Sequence, residues 1–174
     1  MTERTRVIVW CEDREHELFV RRLLEKLGVD RRCMTFHIAP RGRGSAAEWV
    51  LAQYRNVRDK AQAVRHQARL GFLIVVDGDA SGFLGRQKQL SHRGGQRDEA
   101  ERIGVWIPTW SIETWVLWLC GSAVSETTPF KNACDFRSLI GKAIDAWATP
   151  LNDEATTVPS LAAARRELSR LPLS

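Results

Sequence analysis

The run Phe72-Leu-Ile-Val-Val76 constrains this chain more than any other segment. Its consecutive apolar residues, largely β-branched, leave no polar face to turn toward water. A strand of this kind needs cover on both sides, the condition met inside a parallel sheet flanked by helices. Comparable runs stand at Val7-Ile-Val-Trp-Cys11, at Met34-Thr-Phe-His-Ile-Ala39 closed by Pro40, and at Val105-Trp-Ile-Pro108.

Helical patterns fill the intervals. Leu18, Phe19, Leu23, Leu24 and Leu27 recur at helical spacing over 15–27, and Gly28 supplies a C-cap. Ser45 and Glu48 form a capping box for a helix running to about Arg69, with Arg55, Arg58, Arg65 and Arg69 on its polar face. Residues 85–102 read as a charged helix broken at Gly94-Gly95. A short apolar helix follows over 112–120, and two more close the chain near 136–147 and 160–171. The alternation predicts an α/β fold: a mainly parallel four-stranded sheet flanked by helices, with C-terminal helices. The expected organisation is a unit over 1–125 and a helical extension over 126–174 packed on it.

The 174 residues suffice to bury a core without disulfide or metal staples. No apolar run approaches the roughly 18 residues of a membrane span. The start runs directly into a strand, so no leader is expected. Cys11, Cys33, Cys120 and Cys134 show no metal-ligand spacing and read as free thiols of a reducing, cytoplasmic setting. The net charge is +5, and residues 41–70 alone, with seven basic and two acidic side chains, account for all of it. Of the 26 basic residues 21 are Arg, whose fork matches phosphate. Arg41 and Arg43, in a Gly-spaced loop before a helix start, with Arg55 and Arg58 beyond, are candidates for gripping a nucleic-acid backbone; a solvated helix face is the plain alternative. Arg86 and Lys88, just past the third strand, are candidate phosphate contacts or ordinary surface residues.

In parallel α/β sheets, sites gather at the carboxyl ends of the strands. Glu12 ends the first strand, Asp77 and Asp79 end the third, and Glu113 follows the fourth. Residues two apart in extended chain face the same way, so Asp77 and Asp79 are expected to converge, with Gly78 easing the turn. Clustered carboxylates suit a hard divalent cation, Mg2+ or Mn2+, which can activate water and stabilise a leaving oxygen. A helix cap or a turn is the structural alternative for each Asp taken singly.

Three segments carry a family resemblance. Val9-Trp-Cys-Glu12 and the acidic helix start after it resemble the first TOPRIM motif, and Val75-Val-Asp77-Gly-Asp79 resembles the TOPRIM DxD. Ile107-Pro-Thr-Trp-Ser-Ile-Glu113-Thr-Trp resembles a segment of small bacterial TOPRIM-like proteins related to the nuclease domain of the overcoming-lysogenization-defect (OLD) family. The resemblance spans about residues 7–120. It implies a TOPRIM fold and a Mg2+-dependent nuclease of DNA or RNA. Glu12, Asp77 and Asp79 would be metal residues, and Glu113 a further ligand or water-orienting group. It also implies a separately encoded ATPase partner, frequently in anti-phage defence.

The chain departs from the pattern twice. Asp13 replaces the usual Gly after the first Glu, and the acidic residue commonly four positions on is His16. Glu15 and Glu17 flank that position, but one residue rotates a helical side chain by about 100°. His16 itself reads as a general base, a replacement ligand or a helix-surface residue. Two other readings remain from the sequence. One is a degenerate module that binds nucleic acid or an ATPase. The other is a flavodoxin-like phosphoacceptor, for which Lys131 lies out of context. Self-association is open.

Overall fold

The computed structural model describes residues 4–42, 44–149 and 157–173. Four strands, β1 (Arg6–Cys11), β2 (Met34–Ile38), β3 (Leu70–Val75) and β4 (Ile103–Trp106), form one sheet in the order β2-β1-β3-β4. Every pairing is parallel. The helices are α1 (Arg14–Lys26), α2 (Ala46–Ala63), α3 (Gly82–Gly94), α4 (Ile112–Leu119), α5 (Phe136–Ala148) and α6 (Pro159–Glu167). The α/β class, the four parallel strands and the C-terminal helices are as the alternation predicts, and the arrangement is Rossmann-like.

Strand alternation divides the core in two. Val7, Val9 and Cys11 of β1, Leu73 and Val75 of β3, and Trp106 of β4 face a layer built from α1, α4, α5 and α6. Trp10, Phe72 and Ile74 face the opposite layer of α2 and α3. Every residue of β3 is buried, which is why its sequence is apolar without interruption. In the first layer Phe19, Trp106, Trp115 and Trp147 make an aromatic cluster, with Trp106 and Trp147 centroids 5.4 Å apart. Trp115 Nε1 donates to Ser160 Oγ at 2.8 Å, satisfying an indole that would otherwise be stranded in the core.

Two element boundaries differ from expectation for visible reasons. α2 ends at Ala63, and the chain turns through 64–67 into β3, which begins at Leu70. α3 begins earlier, at Gly82, stops at the expected Gly94-Gly95 break and does not resume beyond it. Gly94 lies against the Tyr54 ring, where a Cβ would come within 2.5 Å, and Gly95 takes φ +78°, closed to most L-residues. Residues 96–102 are therefore not helical. They are held by side chains instead: Arg102 donates to the Leu70, Arg65 and Gln67 carbonyls, and Arg97 pairs with Glu167.

The strand order sets the site. From β1 the chain moves outward to β2, then crosses back to β3 on the other side of β1. The switch point lies between β1 and β3, and a crevice opens there at the carboxyl ends. Glu12 directly follows β1, and Asp77 follows β3 by two residues.

Candidate metal centre

Glu12 and Asp77 meet across this switch point. Glu12 Oε1 accepts the Asp77 backbone N–H at 2.5 Å, and both residues are buried, 8% and 3% exposed. α1 brings in a third group. Asp13 caps that helix, its side chain accepting the N–H groups of Glu15 and His16, so the residue standing where the TOPRIM pattern has Gly starts the helix here. One turn in, His16 is wholly buried and its Nε2 lies 3.0 Å from Asp77 Oδ1. Glu12, His16 and Asp77 each offer a ligand atom, all within 4.8 Å of one another, and the group is able to hold a metal ion.

The group is electrostatically loaded. Burial pushes the Glu12 carboxyl up to about 7, helped by the Asp77 and Asp79 charges and opposed by His16. Burial likewise raises Asp77. For His16 burial opposes the charged ring, but the Asp77 carboxylate and its hydrogen bond, then Asp13 and Glu12, outweigh it and lift the imidazole to about 10. The His16–Asp77 pair thus keeps a proton at neutral pH. His16 Nδ1 is buried without a hydrogen-bond partner, an arrangement that typically costs about 1–3 kcal/mol. A donor set of two carboxylates and an imidazole fits a divalent cation, which would displace the shared proton on binding.

The flanking acids sort as helix geometry requires. Glu17 turns away into ion pairs with Arg14 and Arg21, at 2.5 and 2.7 Å. Glu15 lines the cavity above the group, and burial, then the Glu113 charge, raises its carboxyl. Glu113 opens α4, is 4% exposed, lines the same cavity, and accepts the Asn132 backbone N–H at 3.1 Å.

Asp79 does not converge with Asp77. β3 has ended at Val75, and Asp79 begins a 3-10 turn with φ +45°. Its carboxylate is 41% exposed and sits 3.7 Å from both Arg86 and Lys131. Gly78 is required by close approach, not by an unusual φ: a Cβ there would come within 2.1 Å of the Thr109 carbonyl oxygen, and its N–H donates to Pro108. Arg86 is neither a surface residue nor open to phosphate. It is buried, with Nε donating to the Asp77 carbonyl at 2.8 Å, Nη2 to the Gly78 carbonyl and Nη1 to Gln89. It braces the turn that carries the acids.

Of this group Asp77 lines a cavity of about 370 Å³, which Arg14, Arg41, Lys131 and Arg137 line as well. Arg14 is paired with Glu17, whereas Arg41 and Arg137 have no carboxylate partner among the described residues. Burial opposes the charge on Lys131, but Asp79, then Asp77, Glu12 and Glu113, outweigh it and hold the ammonium above its ordinary range. Lys131, Asn132 and Arg137 were not legible as site residues. They sit in a loop and a helix start after 120, with no local motif, and only the packing of α5 brings them over the sheet end. His16 did have a signal, its place one helical turn beyond Glu12.

The remaining basic candidates lie elsewhere. Arg55 and Arg58 line a groove between α2 and α3. Lys88 lines a cavity of about 710 Å³ between α3 and α6 that includes Arg97 and Glu167; this is the larger space, but none of the three grouped ligating side chains lines it. Arg43 lies outside the described residues. No helix among the described residues is long and apolar enough to cross a membrane. No family model matches the chain, and neither a curated protein nor a solved structure matches it.

Proposed function

We propose that this chain is a metal-dependent nuclease, cleaving phosphodiester bonds at the cavity between β1 and β3. The observation that carries the reading is the stacking of charge there: Asp77, buried together with Glu12 and His16, lines a cavity that Arg41, Lys131 and Arg137 also line. Backbone phosphates need cations at the mouth, and a divalent ion needs carboxylates at the base. Bound to this group, such an ion supplies Lewis acidity toward a phosphoryl oxygen and activates water.

The chain's own residues do the rest. Arg41 and Arg137 bind and orient phosphates. Lys131, beside Asp79 at the cavity mouth, offsets the negative charge that grows on the phosphoryl group. Glu113, fixed through Asn132, and Glu15 accept protons or orient water within the cavity. Arg86 keeps Asp77 in place from behind. Mg2+ or Mn2+ is the ion that the family resemblance suggests. The ATPase partner and the role in phage defence rest on that resemblance alone.

One observation favours a second reading. The His16–Asp77 hydrogen bond puts a charged imidazole among the carboxylates, where it can substitute for a cation. The fold would then be a degenerate module that binds nucleic acid or an ATPase without cutting.

Cleavage of plasmid DNA and of total tRNA, with Mg2+ or Mn2+ and with chelator, separates the two. Metal-dependent cleavage that disappears in Glu12→Ala and Asp77→Ala supports the nuclease. Cleavage unchanged by both substitutions removes the site. Binding without cleavage under every metal supports the second reading.

A further inference from the structure

We propose that His16 makes the buried group selective for a first-row transition-metal ion over Mg2+, an inference that rests on the metal-dependent reading above. Two independent features point the same way.

The first is the donor set. Mg2+ is served by oxygen, whereas imidazole nitrogen suits ions such as Co2+, Zn2+ and Fe2+. Here the helical position one turn beyond Glu12 presents His16, with a ring nitrogen within 4.8 Å of the carboxylate oxygens and Nε2 3.0 Å from Asp77 Oδ1. Two of the neighbouring acids are already committed elsewhere. Glu17 is committed to Arg14 and Arg21 on the outer side of α1, and Asp79 is held 3.7 Å from Arg86 and from Lys131.

The second is dehydration. Mg2+ gives up water reluctantly and usually keeps several waters when bound. Glu12, His16 and Asp77 are 8%, 0% and 3% exposed, so an ion among them must exchange much of its shell for protein atoms. An ion that prefers nitrogen and sheds water readily gains from both features, and Mg2+ from neither.

The test uses the full chain freed of metal, with Co2+ alone as the probe. Its visible absorption reports occupancy and nitrogen ligation, and Mg2+ is then added as competitor. Co2+ should bind at least about a hundredfold more tightly than Mg2+. His16→Asp should narrow that ratio by about tenfold or more, while His37→Gln, on strand β2, leaves it unchanged. Should His16→Asp fail to fold, the wild-type chain carries its own readout, one contact-shifted imidazole resonance in the Co2+ form. Mg2+ displacing Co2+ at matching concentration, or a His16→Asp ratio equal to wild type, overturns the selectivity and leaves the nuclease reading standing. If neither ion binds, both readings fall.

Discussion

Two regions of this molecule concentrate Arg and Lys, and they differ in what the positive charge is left to do. The groove between α2 and α3 holds Arg55, Arg58, His92 and Arg93. There Arg58 is spent on Glu101, with Nε 2.9 Å from Oε2, and on the Gly94 carbonyl at 2.7 Å. Arg93 is spent on Glu48 at 2.6 Å. The rim of the acidic cavity is drawn from segments far apart in sequence, yet Arg41 and Arg137 have no carboxylate partner among the described residues and Lys131 is drawn toward the acids. Position in the fold, and not the density of charge along the sequence, therefore decides what each guanidinium is left to do. A guanidinium locked to a carboxylate positions helices, and one facing an acidic floor remains able to meet a phosphate.

The largest effect expected from breaking this contrast is at the floor. Asp77→Asn should reduce cleavage by about 10²–10³-fold, measured as initial rates on supercoiled plasmid. A rate within a few-fold of wild type would mean that the rim serves another centre. Next comes the rim. Lys131→Ala should slow cleavage by about tenfold to a hundredfold, and Arg41→Ala with Arg137→Ala should lower the slope of log affinity against log salt by about one for each phosphate no longer neutralised. Arg55→Ala and Lys88→Ala, titrated in the same assay, should leave rate and slope nearly unchanged. If the α2 substitution reduces the slope more than the rim pair, the comparison is reversed.

A pH series sharpens the description of the floor. Glu12 is raised by burial from 4.5 to about 7, and His16 is raised by Asp77 against its burial from 6.5 to about 10. Both groups hold a proton more tightly folded than unfolded, so their stabilisation is complete below pH 4.5 and is lost as pH rises. In chelator, thermal stability should fall between pH 5 and pH 9. Glu12→Gln should flatten the lower part of that decline and His16→Gln the upper part. Stability that rises across this interval would contradict the burial of the group. The smallest effect belongs to the α2–α3 groove. Arg58→Ala should cost about 1 kcal/mol, or about 3 °C in melting temperature, because the Arg58–Glu101 pair is only partly buried. Metal binding should be unaffected.

The legibility of the site varied residue by residue. Glu12, Asp77 and Glu113 could be found because each follows a strand, and a parallel sheet sends strand ends to one edge. Asp79 could not be placed. The expectation that it aligns with Asp77 assumes extended chain, but the strand has ended, residue 79 is left-handed, and its carboxylate lies beside Arg86 and Lys131. Arg86 looked like a surface or phosphate residue because hydropathy cannot reveal a guanidinium buried against two carbonyls. The break at Gly94-Gly95 was legible, but its cause, the ring of Tyr54 forty residues earlier, was not.

By itself, then, the sequence determined the α/β class, the four parallel strands and the edge of the sheet where acids collect. These follow from local periodicity and from the need to cover an uninterrupted apolar strand on both faces. Only the tertiary structure decided which acids share a pocket, that His16 joins them, and that Lys131 and Arg137 stand over them. Those outcomes depend on where helix rotation, a tight turn and the packing of α5 place side chains far apart along the chain, and no local pattern encodes such distances.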